Sequence, residues 1–444
     1  MNNEPRRKFF LRTFGCQMNR HDSERLAATL CRAGWARTRD EGEADLLLLN
    51  TCSVREHAER RVWGKLFEYR LLKREKPGTL IAVAGCMAEL LKNEIFRRVP
   101  EVDLILGPGK FDHVLSALDD AAAQPVTESG FSPSNDEAFF RLPRQAPAGV
   151  KASVTVMRGC NNFCAYCVVP FTRGRERSRP PEEIEEEIRL LVEQGTAEVV
   201  LLGQNVNSYR GRTLSGEMLD FAGLLERIDG TALLPRMRFV TSHPKDISPR
   251  LIEKVEKLRS VCEDLHFPAQ SGSDRILEAM GRGYDRREYL DKVAAVRARI
   301  PGVALRSDFI VGFPGETEED FQETLSLVEE VGFEGVFAFT YSVRPGTRAS
   351  RLPDDVSVEE KNSRLQRLLA LQAGISRERH RALVGQTVEV LVEGRNSRRP
   401  ERGGGRTRQG QLTFFPWRDG LAGKLLRIEI EKTTPLSLYG KEAG

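Results

Sequence analysis

The sequence lacks a long apolar run, a strong excess of charge of either sign and a second closely spaced group of cysteines. No apolar stretch approaches the roughly 18 residues that a membrane-spanning helix needs, and the basic N-terminal segment has no apolar stretch of signal-peptide length. Lysine and arginine total 68 against 64 acidic residues, so a formal charge of +4 does not select a nucleic-acid or membrane partner. We therefore expect a cytoplasmic protein, and 444 residues with 40% apolar content predict two or three globular domains.

Three of the eight cysteines, Cys160, Cys164 and Cys167, lie within the segment MRGCNNFCAYCVVP, and we call them the Cys160 trio. In a reducing compartment such spacing predicts metal binding or catalysis rather than disulfides. A structural zinc site usually takes four ligands in paired CxxC units, and a ferredoxin-type run requires a further cysteine at position 171, where the chain has Phe171. A [4Fe-4S] cluster with one iron free of protein ligands fits three thiolates best. Three buried structural thiols are the alternative.

Six apolar, β-branched-rich runs alternate with helical patterns in the middle of the chain. They span residues 154–157, 199–203, 237–241, 264–268, 305–312 and 336–341. This alternation predicts parallel strands with helical crossovers, arranged as a partial (β/α)6 barrel in an α/β multidomain protein. A polar or glycine-rich loop follows each strand, and such loops meet at the carboxyl rim of a barrel. We expect this rim to hold the Cys160 trio, although turn formation alone is the simpler explanation for any single loop.

Three more cysteines occupy equivalent positions in the first 122 residues. Cys16, Cys52 and Cys86, which we call the Cys16 trio, each follow an apolar strand pattern and precede a helical one. In an open parallel α/β sheet the carboxyl ends of the strands share one edge, so these side chains are expected to meet there. Three packed or incidental cysteines are the alternative. Cys31 and Cys262 lack this placement and are expected to be inert.

The rest of the chain predicts a linker and a small C-terminal β-barrel. Residues 123–149 are rich in Pro, Ser, Gly and Ala, as expected of a surface linker that precedes a barrel domain over 150–378. Short alternating runs within 380–444 are typical of a small β-barrel. A glycine-rich loop between two of these runs carries Arg395, Arg398, Arg399, Arg402, Arg406 and Arg408.

The arginine-rich loop and its neighbours suggest contact with nucleic acid. Arginine suits phosphate, and the nearby Phe414, Phe415 and Trp417 are suited to stacking on bases. A solvated charge run with its aromatic residues in the barrel core is the alternative.

Motifs along the whole chain resemble those of the methylthiotransferase family of radical S-adenosylmethionine (SAM) enzymes. In the middle of the chain they are RGCNNFCAYCVVPFTRGRERSRP, LLGQNVNSYRG, TSHP, HFPAQSGSDRILEAMGRGY, DFIVGFPGETEEDF and YSVRPGT. Near the N-terminus they are GCQMN, NTCSVRE and AGCMAE. The resemblance implies a methylthiotransferase domain over 1–122, a radical SAM core over 150–378 and an RNA-binding TRAM domain over 380–444. The chain departs from the family's pattern at Val343 and Arg348, where proline is usual.

The resemblance implies an enzyme that uses two [4Fe-4S] clusters and SAM. The cluster of the Cys160 trio would cleave SAM to a 5'-deoxyadenosyl radical, and the cluster of the Cys16 trio would carry sulfur. The implied reaction consumes two SAM and places sulfur and methyl at C2 of N6-(dimethylallyl)adenosine at position 37 of tRNA. That aromatic carbon is unactivated, so the cofactors carry the difficult step while the protein supplies position and electrostatics. The implied partners are the tRNA anticodon loop and a reductant protein of unknown identity, with no membrane, and we expect a monomer.

Further residues receive roles from the same resemblance. The expected cofactor-binding residues are Tyr166, Ile310, Val311 and Gly312 at the adenine, Gln204 and Asn205 at the methionyl amine, and Gln270 and Ser271 at the ribose. For the last four, turn-stabilising hydrogen bonds are the alternative. The expected RNA-binding residues are Arg173, Arg175, Arg395, Arg398, Arg399, Arg406 and Arg408. The first two could instead meet the SAM carboxylate or face water, and no catalytic residue is expected beyond the cluster ligands.

Other functions share these motifs in part. Members of the same family that act on threonylcarbamoyladenosine of tRNA, or on an aspartate of a ribosomal protein, carry the same cysteines. The loops VVPFTRGRERSRP and LLGQNVNSY resemble more closely the members that act on isopentenylated tRNA. A non-enzymatic iron–sulfur RNA-binding redox sensor is the alternative from another class, but it leaves GFPGET and the other rim loops without a purpose.

Overall fold

Leucine-rich and β-branched runs in the first third of the chain form a buried parallel sheet. The computed structural model describes residues 7–53, 56–132, 138–144 and 149–443. The N-terminal strands are β1 (Lys8–Thr13), β2 (Ala36–Arg37), β3 (Leu46–Thr51), β4 (Leu80–Gly85), β5 (Leu104–Leu106) and β6 (Val126–Glu128). They pair in the order β2-β1-β3-β4-β5-β6, and every pairing is parallel. All of β3 is buried, as expected for a strand covered on both faces.

Helices cover both faces of this sheet. They are α1 (Gln17–Arg32), α2 (Glu56–Glu75), α3 (Cys86–Leu91), α4 (Asn93–Arg98) and α5 (Val114–Ala121). α1 and α5 pack on one face, and α2, α3 and α4 pack on the other. No helix within the described ranges is long and apolar enough to cross a membrane.

The segment predicted as a linker is partly built into the N-terminal domain. β6 lies inside residues 123–149 and pairs with β5 as the last strand of the sheet, and Phe139 and Phe140 are buried against the helices of the first face. The surface linker predicted from composition is therefore wrong at these positions, because two buried phenylalanines and a strand pairing outweigh the Pro and Ser content. Residues 133–137 and 145–148 of that linker, and residues 54–55 of the motif NTCSVRE, lie outside the described residues.

The middle of the chain forms the predicted partial barrel. Its six main strands are β7 (Lys151–Thr155), β10 (Glu198–Leu202), β13 (Arg236–Phe239), β14 (Asp264–His266), β15 (Ala304–Val311) and β16 (Gly335–Thr340). Short antiparallel pairs are β8 (Met157–Arg158) with β9 (Arg177–Ser178), and β11 (Arg210–Arg212) with β12 (Met218–Asp220). Two parallel three-stranded sheets, β7-β10-β13 and β14-β15-β16, are joined by a parallel bridge between Met237 and Val261. The main strands therefore lie side by side in chain order.

Helices surround these strands, and all of them except the first and shortest contribute to one large apolar core. They are α6 (Val169–Arg173), α7 (Pro181–Glu193), α8 (Phe221–Gly230), α9 (Pro249–Lys257), α10 (Asp274–Met280), α11 (Arg286–Arg299), α12 (Glu318–Val331) and α13 (Val358–Arg381). Capping residues in the sequence mark where several of these helices begin. Asp285 and Thr317 form capping boxes at α11 and α12, which satisfy free backbone N–H groups of the first turn.

The C-terminal module is a closed five-stranded barrel, as the alternating runs predict. Its strands are β17 (Thr387–Arg395), β18 (Arg402–Thr407), β19 (Leu412–Pro416), β20 (Leu425–Thr433) and β21 (Leu438–Glu442), in the order β17-β18-β19-β21-β20. The core contains Val390, Phe415, Ile428 and Leu438. Closure leaves no unpaired sheet edge on this small module.

The small barrel docks on the amino ends of the large barrel's strands. Arg238 on β13 donates to the carbonyl oxygens of Thr407 and Arg408 at 2.6 and 2.8 Å. Arg306 on β15 donates to the carbonyl oxygen of Gln409 at 3.0 Å. The docking face is thus opposite the carboxyl rim, where the Cys160 trio was predicted.

A buried cluster of charges joins the N-terminal domain to the large barrel. Glu187 of α7 lies 2.5 Å from Arg144 and 3.5 Å from Arg25 of α1, and it also contacts Arg179. Burial opposes the charge on Glu187, but the contact with His21 and the three guanidinium groups outweigh it and hold the pKa of this carboxyl well below its usual range. Burial lowers the pKa of His21 to about 3, so this ring is neutral at pH 7. Glu187 is therefore the carboxylate that all three guanidinium groups share, while Glu24 and Glu183 each pair with one of them.

We expect Glu187→Gln to lower the free energy of unfolding by about 3 kcal/mol, because three guanidinium groups lose the buried carboxylate that they share. Urea unfolding followed by circular dichroism measures this loss. Glu186→Gln is the matched control, since Glu186 is exposed on the same helix and pairs only at the surface with Arg189. The difference between the two variants should begin to shrink below about pH 4, where Glu187 of the unfolded chain takes up a proton. It should vanish only as the pH falls through the lowered pKa of the folded carboxyl. Equal unfolding free energies for the two variants at pH 7 would contradict the role of the cluster.

Candidate metal centres

The Cys16 trio lies at the carboxyl ends of three neighbouring strands. Cys16 follows β1 and caps α1, Cys52 follows β3 directly, and Cys86 begins α3 after β4. β3 lies between β1 and β4 in the sheet. The first two chain segments pack tightly, since a Cβ added to Gly15 would come within 2.8 Å of the Cβ of Cys52. Cys52 and Cys86 are buried and Cys16 is exposed, so the trio opens to the surface on one side.

The Cys160 trio occupies the loop between β8 and α6, at the carboxyl rim of the large barrel. Backbone hydrogen bonds fix this loop: the N–H of Cys160 donates to the carbonyl of Gly174 at 3.2 Å, and that of Cys167 donates to Cys164 at 3.0 Å. Between them, the N–H of Ala165 donates to the end of α10 at 2.8 Å. Cys160 and Cys164 are buried and Cys167 is partly exposed. The three thiols are therefore held by one pinned loop.

Two glycines are required directly before cysteines of the trios. Gly85 and Gly159 have φ of +96° and +75°, a region that residues with a Cβ rarely adopt. A Cβ on Gly85 would lie 2.5 Å from the carbonyl oxygen of Thr51, and one on Gly159 would lie 2.0 Å from that of Arg175. These close approaches bring Cys86 and Cys160, the residues that follow the two glycines, close to the segments that contain Thr51 and Arg175.

Each trio has its own buried arginine, which donates a hydrogen bond to one of the three sulfur atoms. Nη1 of Arg282 lies 3.3 Å from Sγ of Cys164, and Nε of Arg173 lies 3.2 Å from Sγ of Cys86. Arg173 also pairs with the buried Asp22, with Nη1 2.6 Å from Oδ2. Hydrogen bonds from a cation to sulfur favour the thiolate over the thiol, and thiolates are the ligands of iron–sulfur clusters.

Burial raises the pKa of several of these thiols. It raises the pKa of Cys160 to about 11 and of Cys167 to about 12, and it raises that of Cys86 although Arg173 opposes the shift. Such thiols stay protonated in a dry site until a metal displaces the proton.

The donor set fits an iron–sulfur cube. Each trio offers three sulfur atoms, of which one accepts from a buried guanidinium. Within the part of the chain that the structure describes, no three His, Cys, Asp or Glu side chains converge closely enough to bind a single metal ion. A cube does not need such convergence, because each thiolate binds a different iron atom.

The short helix α6 connects the two trios. It begins two residues after Cys167 and ends at Arg173, whose guanidinium contacts Cys86. A second contact supports the same arrangement, since Oγ1 of Thr155 at the end of β7 lies 3.5 Å from Sδ of Met18 in α1. The edge of the N-terminal sheet and the rim of the barrel therefore face the same region.

Residues predicted to line the adenine pocket lie together beside the Cys160 trio. Tyr166 and Ile310 pack on one apolar cluster with Phe313 and Tyr341. The hydroxyl of Tyr166 accepts from Nη1 of Arg282 at 3.3 Å. Burial raises the pKa of Tyr166, so its hydroxyl stays protonated. Of the other expected residues, Val311 ends β15, and Gly312 follows it.

Gln204 and Gly312 have roles in holding these loops. Oε1 of Gln204 accepts from the N–H of Gly159 at 2.6 Å and so fixes the start of the cysteine loop. The N–H of Gly312, at φ +69°, donates to Oε1 of Glu316 at 2.8 Å.

Asn205 and Ser271 make hydrogen bonds within the barrel. Asn205 is buried, accepts from the N–H of His243 at 3.1 Å and donates to Asp246 at 2.8 Å. Oγ of Ser271 is buried and accepts from the N–H of Ser273 at 3.2 Å. Gln270 has φ of +76°, and its backbone bonds to β15. For Asn205 and Ser271 the turn-stabilising alternative is the one the structure supports.

The seven arginines predicted to bind RNA divide into exposed and internal groups. Arg173 is buried between Asp22 and Cys86, and the partly exposed Arg408 bonds Glu263 at 2.7 Å across the docking face, so both side chains have partners within the protein. Arg406 is half-buried and pairs with Glu393 at 3.2 Å. The exposed arginines are Arg175, Arg395, Arg398 and Arg399.

The aromatic residues of the small barrel divide in the same way. Phe415 is buried in its core, which is the alternative weighed for this group. Phe414 is half-buried, and its ring centroid lies 5.5 Å from that of Tyr439. Trp417 is half-buried and donates from Nε1 to Asp419 at 3.0 Å.

Sequence reasoning missed an aromatic pair at the exposed edge of the cysteine loop, a region that we call the lip and that consists of Phe163, Phe171 and Arg175. The rings of Phe163 and Phe171 meet edge to face at 6.3 Å, and Phe171 is 46% exposed. The guanidinium of Arg175 lies 4.3 Å above the ring of Phe163. Phe163 lies between two cysteines of the motif, and that position was the available signal. Arg282 was missed because it is more than a hundred residues from the sulfur that it contacts.

We expect Gly159→Ala to lower the free energy of unfolding by roughly 2 kcal/mol, because a Cβ there combines a strained φ with a clash against backbone. Gly283→Ala is the matched control, since Gly283 has φ of +67° with open space around its Cα. The control should cost about half as much. Chemical denaturation measures both variants, and equal losses would show that the close approach at Gly159 is not a constraint.

Three family models match the chain. They are the Radical SAM superfamily over residues 154–328, the uncharacterized protein family UPF0004 over residues 8–107 and the TRAM domain over residues 381–441. Among solved structures, the fold is similar to that of the radical S-adenosylmethionine methyltransferase TsrM from Kitasatospora setae, which was solved with cobalamin and a [4Fe-4S] cluster bound. The TM-score is 0.57 at 14% identity, covering 78% of this chain and 74% of that chain. At this identity the likeness concerns the fold alone.

Curated relatives match along almost the whole length. A protein of Moorella thermoacetica is 46% identical over 98% of both chains, and one of Syntrophomonas wolfei is 45% identical over 98% of this chain and 97% of its own. One of Clostridium botulinum (strain Okra) is 44% identical over 98% of this chain and 97% of its own. Each is named tRNA-2-methylthio-N(6)-dimethylallyladenosine synthase.

The partial barrel with its cysteine trio at the rim, the preceding parallel sheet and the closing small barrel define a radical SAM enzyme of the methylthiotransferase class. Within that class, the chain belongs to the tRNA-2-methylthio-N(6)-dimethylallyladenosine synthase family.

Proposed function

We propose that this protein places a methylthio group on C2 of N6-(dimethylallyl)adenosine at position 37 of tRNA, using two [4Fe-4S] clusters and SAM. The observation that carries the proposal is the pair of cysteine trios that face one region on either side of α6. Full-length identity of 46% to a relative named for this reaction supports the same conclusion.

The Cys160 trio would hold the cluster that binds SAM, and the Cys16 trio would hold the second cluster. When bound, these groups supply the radical and the sulfur that the unactivated carbon requires. The protein's own residues prepare the site. Gln204 holds the start of the cysteine loop, and Arg282 positions Cys164 and Tyr166 together through one guanidinium.

Two exposed regions would contact the tRNA. The first is the lip formed by Phe163, Phe171 and Arg175, where aromatic faces and a cation suit an unpaired base beside a phosphate. The second is the loop with Arg398 and Arg399 at the far end of β18 from the docking face. Because the small barrel docks on the amino ends of the large barrel's strands, an RNA that touches both regions must span at least the length of β15, about 26 Å at 3.3 Å per residue.

We place the reaction in the cytoplasm, where tRNA and a reducing thiol pool are present. A reductant protein would deliver the electron, and the enzyme would act as a monomer.

A single assay tests this function. Anaerobically reconstituted protein is given SAM, dithionite and tRNA bearing N6-(dimethylallyl)adenosine at position 37, and the digested nucleosides are analysed by mass spectrometry. We expect the 2-methylthio nucleoside. Product only with threonylcarbamoylated tRNA or with a ribosomal protein would contradict the substrate, and no product with any of the three would contradict the enzyme.

The same assay separates the roles of the two trios. Cys164→Ala should abolish formation of 5'-deoxyadenosine, whereas Cys52→Ala should retain part of it and lose the methylthio product. Cys31→Ala is the control, because Cys31 is exposed on α1 and lies outside both trios. The reverse pattern in the first two variants would contradict the assignment.

We expect the double variant Arg398→Gln with Arg399→Gln to weaken binding of full-length tRNA and to reduce the salt dependence of binding by one to two released counterions. Fluorescence anisotropy at several salt concentrations measures both effects. Arg418→Gln is the matched control, since Arg418 is 66% exposed on the same barrel and is paired with Glu442. An oligonucleotide limited to the anticodon loop is too short for both regions and should lose less affinity. Equal behaviour of the double variant and the control would refute an RNA contact at this loop.

A further inference from the structure

The two cysteine trios share one feature that the proposed function does not explain, which is a buried arginine beside one sulfur. Each trio has a buried arginine that donates to a single sulfur, at 3.3 Å for Arg282 with Cys164 and at 3.2 Å for Arg173 with Cys86. Both guanidinium groups are less than 5% exposed. Burying a cation is costly, so its retention beside a sulfur ligand indicates that its charge acts there.

The surroundings of the two arginines differ in charge. Arg173 is neutralised by Asp22, which is fully buried and lies 2.6 Å from Nη1. Arg282 instead bonds the hydroxyls of Tyr166 and Tyr284 and the carbonyl of Pro268. Among the described residues, no carboxylate pairs with Arg282. The cation beside the Cys16 trio is therefore paired with a carboxylate, whereas the cation beside the Cys160 trio is not. Glu176 is the carboxylate nearest to that second trio, and it acts on Cys160 rather than on Arg282.

Charge and hydrogen bonding at sulfur set the reduction potential of a [4Fe-4S] cube. Reduction adds one electron to the cube, so the reduced form is the more negative. A nearby cation stabilises that form and raises the potential, whereas a nearby carboxylate lowers it. In a buried site this effect is weakly screened, since little water separates the charge from the cube.

We propose that Arg282 and Arg173 set the reduction potentials of the two clusters separately, and that Asp22 offsets the contribution of Arg173. Arg282 acts on the cluster of the Cys160 trio, and Arg173 acts on the cluster of the Cys16 trio. Both are positioning residues that act through a cysteine ligand. This inference rests on the proposed function, since it requires both trios to hold clusters.

Redox titration with dithionite, followed by electron paramagnetic resonance, tests the proposal in two backgrounds of the full-length chain. In one, the Cys16 trio is replaced by alanine, and in the other the Cys160 trio is replaced, so each background keeps one cluster. Arg282→Gln should lower the potential in the first background only, and Arg173→Gln should lower it in the second only. Each arginine variant is thus the matched control for the other.

Asp22→Asn provides the sharpest readout. It should raise the potential of the cluster held by the Cys16 trio, opposite in sign to Arg173→Gln, because it removes the negative partner. General loosening of the site would shift both variants in one direction. If either glutamine variant fails to take up iron, the lysine variant at that position keeps the charge, and its cluster should titrate close to the wild-type potential.

The possible failures are distinguishable. Wild-type protein that binds fewer than two clusters by iron and sulfide analysis contradicts both the proposed function and this inference. Two clusters whose potentials do not respond to Arg173→Gln, Arg282→Gln and Asp22→Asn overturn the inference and leave the function standing. Shifts of the same sign for Asp22→Asn and Arg173→Gln would also overturn it.

Discussion

The contact of Arg173 with Cys86 and Asp22 is the constraint on which the candidate site depends. α6 is only five residues long and starts two residues after Cys167, so fixing its last residue fixes the position of the Cys160 trio relative to the N-terminal sheet. Neither module needs this contact for its own core, because each has a separate apolar cluster. The buried charge cluster around Glu187 holds the same two modules together farther from the site. Together, the two joints keep a sheet edge and a barrel rim facing one another.

The arginines of the small C-terminal barrel fall into two groups, one that contacts the large barrel and one that is exposed to solvent. Arg408, just after β18, takes part in docking because it bonds Glu263 of the large barrel. From the other side, Arg236 and Arg238 on β13 of the large barrel donate to carbonyl oxygens of β18. The arginines of the loop that precedes β18 remain exposed. Composition treats all of these residues alike, although only the exposed ones can meet phosphate. The docking also sets the distance between these exposed arginines and the carboxyl rim of the large barrel.

Sequence patterns predicted the strands of the partial barrel to within three residues at either end, because a buried parallel strand is a local run of apolar residues with a turn after it. The placement of Cys16, Cys52 and Cys86 at one sheet edge followed from the same local pattern. The sequence did not reveal the partners of Arg173, Arg282 and Asn205, since each partner is separated from its residue by tens to more than a hundred positions. The linker was mispredicted for a related reason, because β6 forms only by pairing with β5.

Arg282 links two properties of the site that could otherwise vary independently. Its guanidinium donates to Cys164 and to the hydroxyl of Tyr166 from the same nitrogen, and it bonds Tyr284 through Nε. A planar fork with fixed donors allows this, whereas a lysine would offer a single mobile point charge. The position of the aromatic ring expected at the SAM adenine is therefore tied to the position of a cluster ligand. Burial of the whole group makes the arrangement stiff, since any displacement would leave a charged donor without an acceptor. The rim thus sets charge and geometry with one side chain, while the N-terminal site divides the same tasks between Arg173 and Asp22.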